Sequence, residues 1–375
     1  MIHLFRMGYT SYTTTMSPIT PEITSLIDPI VSSLKRQQII GDQNVALAIT
    51  QLLMKVISAA RWSNPYDLID LIRKVGKILE TSQPKQIITG NIVRRVLAII
   101  RDEIESEHTT SDQSTTPMMS SMFSLLSTTS HTNHKEQHNQ LKKQMSELRS
   151  IIIQGIRDLV DEITNINEGL ENMSVDLIHD NEILLTPTPN SDTVLQFLIK
   201  ARAKRKFSVL VTENYPNDIK KAHEFVKALA DHKIECILIP DTTTFAVMSR
   251  VGKVIIGSNS VFANGGSISN SGVATVVECA KEHKTPVFAL AGLYKLSPLY
   301  PFNSEDLIEV GNSGKVLNYH DFNLLDNVEL VKNPLHDYIP PENIDIYITN
   351  IGGFAPSFIY RIVLDNYKTE DNKLD

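Results

Sequence analysis

The sequence predicts an α/β protein in which an all-helical N-terminal domain precedes a Rossmann-like domain built on a doubly wound parallel sheet. Apolar residues recur at three- and four-residue spacing through the first part of the chain, as on the buried face of a helix. Further along, short apolar runs alternate with helical patterns, which is typical of a parallel sheet with crossover helices. Runs such as VFAL are apolar at every position and therefore suit strands buried on both faces.

The first part of the chain is expected to form several helices. Asp42 can cap one helix, Asn64 precedes the proline that begins another, and Pro84 breaks the pattern before a third. A long helix is expected over 141–171. Because apolar residues cover a wide arc of several of these helices, we expect them to be buried inside a bundle or against another chain.

A polar insert interrupts the helical pattern over about 105–140. This segment is rich in Ser, Thr, Gln, Asn and His, so it cannot bury enough apolar surface to offset its ordering entropy, and it is predicted to be disordered. His131, His134 and His138 could form a metal cluster, but low-complexity composition is the simpler interpretation because no fixed framework surrounds them.

Six strands are predicted after the helical region, at 182–186, 207–212, 234–239, 254–256, 287–290 and 345–349. We therefore place a helical domain at 18–176, with the insert inside it, and a Rossmann-like α/β domain at 177–367. Residues 1–17 and 368–375 are expected to be flexible ends.

Composition excludes several classes of protein. The net charge of −7 argues against a dedicated nucleic-acid binder, which usually has a strongly basic face. No apolar run approaches the roughly 20 residues that a membrane helix needs. Cys236 and Cys279 lie in apolar runs and are expected to be buried, reduced thiols, which predicts the cytosol as the compartment.

The turn after the fourth strand is where a ligand site is expected, because ligands bind outside the carboxyl ends of strands in open α/β sheets. The turn and the residues after it carry the amides and hydroxyls of Ser258, Asn259, Ser260 and Asn264. It carries no carboxylate to move a proton and no basic residue to hold a phosphate. The sequence therefore predicts a site without a general acid, base or nucleophile.

Three further features have two interpretations each. The pair Gly265-Gly266 could cradle a phosphate or form a tight turn. The segment 351–357 could hold an anion, with Ser357 capping the next helix, or its glycines could serve packing. Lys295 follows the fifth strand and could bind an anion or lie on the surface.

Four segments carry a resemblance to a known family. They are FAVMSRVGKVIIG (245–257), LYKLSPLYP (293–301), DYIPPENID (337–345) and NIGGFAPSFIYRI (350–362). Together they resemble the beta-subunit branch of the regulatory-subunit family of eukaryotic translation initiation factor 2B. The resemblance extends from roughly Thr20 to the C-terminus, apart from the insert, and implies the same two-domain fold.

The resemblance also relates the chain to methylthioribose-1-phosphate and ribose-1,5-bisphosphate isomerases. Those enzymes use a cysteine after the first strand, an aspartate in the turn, and an Asn-Lys pair beyond it. The matching positions here are Thr188, Asn259, Ser269 and Asn270. Because an amide cannot replace a carboxylate as a general base, the resemblance implies a degenerate pocket with no catalytic residue, cofactor or metal.

The resemblance implies a non-catalytic regulatory subunit of the guanine nucleotide exchange factor complex for initiation factor 2. Such a subunit would scaffold the complex and sense phosphorylation of the alpha subunit of initiation factor 2, while the epsilon subunit catalyses exchange. The implied partners are the alpha, gamma, delta and epsilon subunits, with delta contacted directly through the Rossmann-like domains, and initiation factor 2, chiefly its alpha subunit. No nucleic-acid or membrane partner is expected.

Three residues are expected to lie at interfaces with other subunits. His179, Tyr360 and Arg361 are predicted subunit contacts, with core packing as the alternative for each. The helices between Asp42 and Ile104 are expected to face initiation factor 2. The other function left open is a sugar-phosphate isomerase, or a degenerate relative that still binds a sugar phosphate.

Overall fold

The computed structural model describes residues 20–62, 64–113, 134–303, 307–318, 320, 328 and 330–374. The segment 1–17, which we expect to be flexible, lies outside this part of the chain. Within the described residues, no helix is both long enough and apolar enough to cross a membrane.

Among the described residues, six helices precede the first strand. They are α1 (Pro21–Lys35), α2 (Asp42–Ala59), α3 (Pro65–Ser82), α4 (Ile87–Gln113), α5 (His134–Thr164) and α6 (Ile166–Leu177). The boundary between α3 and α4 falls at the predicted break around Pro84, and the Asn64 side chain accepts a hydrogen bond from the Tyr66 amide at the start of α3. Helix α2 packs against α4 and α5, and their Ile, Val and Leu side chains form one buried core.

The expected disordered insert is helical at both of its ends. Helix α4 continues to Gln113 and α5 begins at His134, so only residues 114–133 of the insert, including His131, lie outside the described residues. The polar composition concealed these helix ends, which extend from well-packed apolar turns. No group of three metal-ligating side chains occurs among the side chains that the structure describes.

The second half of the chain contains a seven-stranded sheet. Its strands are β1 (Ile183–Thr186), β2 (Ser208–Thr212), β3 (Glu235–Ile239), β4 (Lys253–Gly257), β7 (Val287–Leu290), β10 (Ile346–Thr349) and β11 (Gly352–Phe354). Their order in the sheet is β11-β10-β7-β4-β1-β2-β3. All neighbours pair in parallel except β11, which pairs antiparallel with β10 at one edge. The predicted doubly wound sheet is confirmed, with this antiparallel edge strand added.

In the part of the chain that the structure describes, five helices connect or follow these strands. They are α7 (Asp192–Arg202), α8 (Ile219–Asp231), α9 (Thr244–Met248), α10 (Val273–His283) and α11 (Ile359–Asn366). Buried side chains cover both faces of the sheet, as two separate apolar clusters. Cys236 and Cys279 are half-buried rather than buried, and neither forms a disulfide. Cys236 Sγ donates to the Val226 carbonyl at 3.5 Å. The division into domains at 18–176 and 177–367 stays a prediction.

A second sheet of four short strands was not predicted. It contains β5 (Ser260–Phe262), β6 (Ser267–Asn270), β8 (Leu296–Ser297) and β9 (His336–Ile339), in the order β8-β5-β6-β9. The stretch after β4 is therefore a hairpin rather than a plain glycine turn. Strands of two to four residues, rich in Ser and Asn, give too little alternation for a sequence pattern to detect.

The C-terminal segment 368–374 is packed, which differs from the flexible end expected over 368–375. Asp371 is fully buried, and Leu374 lies in the apolar core of the helices. The segment is polar and contains two acidic residues, so its sequence predicts an exposed end. The packing could not be predicted, because the arginines that bind the segment lie about 270 residues or more earlier in the chain.

Candidate functional site

A cleft of about 700 Å³ opens at the carboxyl ends of β1 and β4, between the start of α2 and helices α7 and α8. This is the position at which a ligand site is expected in an open α/β sheet. Its walls carry more amides and hydroxyls than charges, and the residues that matter below are Asp42, Asn190, Asn259 and Lys295.

The floor of the cleft is the turn after β4, and its backbone is already hydrogen-bonded. The Ser258 amide donates to the Leu290 carbonyl at 3.0 Å, and the Asn259 amide donates to the Ile268 carbonyl at 2.8 Å. The turn therefore does not present these two N–H groups to an anion, which is how helix-opening turns usually bind phosphate.

The hydroxyls of Thr188 and Ser269 both bind the last residue of β4. The Gly257 amide donates to Thr188 Oγ1 at 3.0 Å, and Ser269 Oγ donates to the Gly257 carbonyl at 2.7 Å. Both side chains are buried, and the structure brings them together around one peptide unit. Their polar atoms serve the turn rather than the cleft.

Asn270 belongs to a chain of polar contacts beside the cleft. The Asn270 side-chain amide donates to Asn190 Oδ1. The Asn190 side-chain amide in turn donates to Asp218 Oδ2 at 3.3 Å. Of the four predicted pocket residues, Asn259 and not Asn270 lines the cleft directly. Asn190, which sequence reasoning missed, is the residue that connects Asn270 to it.

Lys295 is neither a surface lysine nor free to bind an anion. Its ammonium lies 2.8 Å from Asp42 Oδ2 and donates to the Ser258 carbonyl at 2.9 Å. Burial alone would lower the pKa of Lys295, but the Asp42 carboxylate outweighs burial and raises that pKa above its ordinary value. Lys295 is therefore held as a cation and cannot act as a general base near neutral pH.

Asp42 was predicted as a helix cap, yet it is the first residue of α2, and Gly41 occupies the capping position. Its side chain therefore points into the cleft and reaches Lys295, 253 positions later in the chain. No sequence spacing signals a pair so far apart.

The Gly265-Gly266 pair forms the turn of the β5–β6 hairpin. The Gly265 amide donates to the Phe262 carbonyl at 2.9 Å, and the Gly266 amide donates to Asn264 Oδ1 at 3.0 Å. Gly265 has φ +81°, and a Cβ atom there would lie 2.5 Å from the Pro356 carbonyl oxygen. The turn interpretation is the one that the structure supports.

The segment 351–357 forms β11 and a short 3₁₀ turn. Ser357 lies inside that turn, and α11 begins only at Ile359, so Ser357 does not occupy the predicted capping position. Thr349 Oγ1 donates to the Gly352 carbonyl at 2.9 Å, which closes the tight connection between β10 and β11.

The three predicted interface residues are exposed, with Tyr360 and Arg361 on α11 and His179 in the connection between α6 and β1. His179 precedes β1, and its amide donates to Glu182 Oε2 at 3.0 Å. Tyr360 is 49% exposed and Arg361 pairs loosely with Asp365 on the outer face of α11. His179 is therefore not part of the surface that α11 presents.

Four exposed apolar side chains lie on α11 or in the segment that leads into it. They are Ile351, Phe358, Tyr360 and Leu364, which are all between 39% and 58% exposed. We call these four residues the α11 surface. The ring of Phe358 stacks on that of the half-buried Phe354 of β11, with 5.6 Å between the ring centroids. Exposed aromatic and aliphatic side chains grouped beside an edge strand are typical of a protein-binding surface.

The chain is similar to one protein family along most of its length. The model of the initiation factor 2 subunit family matches residues 38–356. The chain is 37% identical to the translation initiation factor eIF2B subunit beta of Schizosaccharomyces pombe, covering 96% of this chain and all of that protein. It is 33% identical to the same subunit of Dictyostelium discoideum, covering 92% and 95%.

Solved structures give the same relationship. The chain superposes on eIF2B beta from Chaetomium thermophilum with a TM-score of 0.69 at 29% identity, covering 93% of each chain. A tetrameric eIF2B-beta2-delta2 complex from C. thermophilum matches with a TM-score of 0.68 at 27% identity, covering 94% of this chain and 100% of that one. A ribose 1,5-bisphosphate isomerase of Archaeoglobus fulgidus is 28% identical over 59% of this chain and 69% of its own length.

Proposed function

The chain belongs to the initiation factor 2 subunit family, and we propose that it is a non-catalytic regulatory subunit of the eIF2B complex, the guanine nucleotide exchange factor for initiation factor 2. The similarity to eIF2B beta subunits over more than nine-tenths of the chain supports this proposal. In this proposal the epsilon subunit supplies exchange catalysis, and the present chain works in the cytosol.

The main support for a non-catalytic role is that most polar side chains around the cleft are bonded to other groups of the same chain. Thr188 and Ser269 bind the Gly257 peptide, Asn270 binds Asn190, and Lys295 is paired with Asp42. Asn259, at the position matched to the isomerase aspartate, is an amide and cannot accept a proton from carbon. A site of this kind keeps the shape of an enzyme cleft without the groups that would do its chemistry.

Subunit assembly is supported by the α11 surface and the edge strand β11. Apolar side chains left exposed beside an unpaired strand edge carry a solubility cost that burial against another subunit removes. One of the similar solved structures is a tetrameric eIF2B-beta2-delta2 complex. We therefore propose the delta subunit as the partner that covers this surface through its own Rossmann-like domain, with the alpha, gamma and epsilon subunits completing the assembly.

The helical region is proposed to receive the alpha subunit of initiation factor 2. Tyr66 of α3 is 57% exposed and Ile78 is 40% exposed, so this region also presents apolar side chains outward. A phosphate added to the ligand would carry about two negative charges, enough to change which state of the complex binds best. Regulation would then be a coupling between ligand binding and exchange.

A nucleotide-exchange assay tests the proposed function. Release of labelled GDP from initiation factor 2 is measured with a reconstituted eIF2B that contains or lacks this chain, using unmodified and phosphorylated ligand. We expect the chain to be required for inhibition by the phosphorylated ligand while contributing no exchange activity alone. Full inhibition without the chain would contradict the proposal.

The second candidate is a degenerate sugar-phosphate-binding protein or isomerase. It is favoured by the similarity to ribose 1,5-bisphosphate isomerase and by the cleft of about 700 Å³ that remains open. Calorimetry with ribose 1,5-bisphosphate, together with an isomerase assay, separates the two functions. Turnover would establish the enzyme, whereas the regulatory proposal expects none.

A further inference from the structure

The segment that follows α11 crosses from the sheet region to the helical region. Tyr367 begins it, and its hydroxyl donates to the Leu296 carbonyl at 2.6 Å, beside the small sheet. Leu374 ends it, in the apolar core between the helices and next to Gly76 of α3. We call residues 367–374 the C-terminal strap.

The strap is held at its centre by one buried carboxylate. Asp371 accepts hydrogen bonds from Arg73 of α3 at 2.7 and 3.0 Å. It also accepts from Arg101 of α4 at 2.7 and 3.1 Å. The Asp371 side chain is 1% exposed, and two guanidinium groups from two helices converge on it. Charge-assisted bonds of this geometry are among the strongest that side chains make.

Helix α4 makes further polar contacts with the strap and with the last residue of α11. Arg94 donates to the Asn372 carbonyl at 3.2 Å, and Arg95 donates to the Asn366 carbonyl at 3.1 Å. Lys368 lies 2.7 Å from Asp102, on the exposed side of α4. Helices α3 and α4 therefore bind backbone carbonyls, the Lys368 ammonium and the Asp371 carboxylate. Each of these contacts joins residues about 260 or more positions apart in the chain.

We infer that the C-terminal strap is a latch that fixes helices α3 and α4 against the sheet region, and that it can open without unfolding of either region. Its contacts with the helices are mostly polar and centre on Asp371, and Leu374 supplies the apolar contact there, whereas Tyr367 is buried on the sheet side. Loss of either Asp371 or Leu374 is therefore expected to release the strap from the helices. The core of the helices contains many apolar side chains besides Leu374, so we expect it to persist when the strap opens. The inference rests on contacts within the chain and does not depend on the proposed function.

Distance measurements between spin labels test the latch in the full-length chain. Labels are attached through D70C on α3 and A230C on α8, both exposed positions, with Cys236 and Cys279 replaced by alanine. The distance distribution is compared among otherwise unchanged protein, D371N and L374A. The matched control is D365N, which removes a carboxylate that is 64% exposed on α11.

We expect D371N and L374A each to broaden the distribution about twofold and to speed amide exchange of residues 369–374 about tenfold, because local opening exposes only the strap. Helix content by circular dichroism is expected to stay unchanged, and D365N is expected to match the parent. Unchanged distributions in both variants would overturn the inference. Loss of helix content in both would overturn it as well, because the strap would then be part of the core rather than a latch.

Discussion

The ammonium of Lys295 lies 2.8 Å from the carboxylate of Asp42 and joins the start of helix α2 to the segment after β7. The same ammonium donates to the Ser258 carbonyl in the turn below. One side chain therefore connects the helical region, the sheet and the floor of the cleft. Because Asp42 is its counter-ion, the Lys295 ammonium is not available to bind an anionic ligand in the cleft.

Removing the Asp42 charge should destabilise the protein. Because D42N leaves the Lys295 ammonium buried without its counter-charge, we expect the free energy of unfolding to fall by about 2 kcal/mol. Urea denaturation followed by circular dichroism measures this change. The exposed pair of Arg361 and Asp365 provides the control, since D365N should change stability by less than about 0.5 kcal/mol. Equal effects of the two substitutions would show that the Lys295 pair adds nothing to stability.

The hairpin turn at Gly265 should tolerate no side chain. The backbone has φ +81° there, and a Cβ atom would meet the Pro356 carbonyl oxygen at 2.5 Å. We expect G265A to lower the free energy of unfolding by about 3 kcal/mol, through strain and overpacking together.

Gly272 gives a matched comparison for this substitution. It has φ +92°, but a Cβ atom there would meet nothing within 4 Å. G272A should therefore cost about 1 kcal/mol from backbone strain alone. Thermal unfolding of both variants measures the difference, and a G272A effect as large as that of G265A would contradict the packing explanation.

The acid stability of the protein should depend on Asp371. Burial by itself would raise the pKa of Asp371, but hydrogen bonds from Arg101 and Arg73 outweigh burial and lower that pKa below its ordinary value of 3.8. The carboxylate therefore contributes stability above pH 3.8 and loses that contribution as the pH falls through its lower, folded-state pKa. Wild-type protein should exceed D371N in melting temperature near neutral pH.

The pH series itself decides this prediction. The difference in melting temperature between wild type and D371N should be constant above about pH 5. It should shrink as the pH falls below 3.8, where the unfolded carboxyl is half protonated, and through the lower pKa of the folded state. A difference that stays the same down to pH 2.5 would show that Asp371 acts through its shape and not through its charge.

A charge placed on the α11 surface should block subunit assembly without unfolding the chain. L364D introduces a carboxylate beside Tyr360, where a partner is proposed to bury apolar side chains, so we expect at least about tenfold weaker binding to the delta subunit. Affinity is measured by co-purification and by biolayer interferometry. K220D, a charge reversal on the solvated face of α8, serves as the control. Undiminished binding by L364D would exclude this surface as the contact.

The sequence predicted the large sheet better than it predicted the site. The strand ending at Gly257 and the strand beginning at Val287 were found within a residue or two, because buried parallel strands are apolar at every position. The small sheet was missed because its strands are short and polar. The position of Asn259 in the cleft followed from the rule that ligands bind at the carboxyl ends of strands.

Long-range polar contacts account for most of what was missed. Lys295 with Asp42, and Asp371 with Arg73, join residues hundreds of positions apart, and no local period or motif encodes such pairs. The four pocket residues could be matched by position, but what their side chains bind depends on the geometry of the turn. Asn190 could be found only after the strands had been placed beside one another.

Native mass spectrometry tests the central claim most directly. The chain is co-expressed with candidate alpha, gamma, delta and epsilon subunits of eIF2B and compared with the chain purified alone. The regulatory proposal predicts a defined assembly with two copies of this chain, containing delta and lost in the L364D variant. A homodimer that forms equally well with or without those subunits would contradict it.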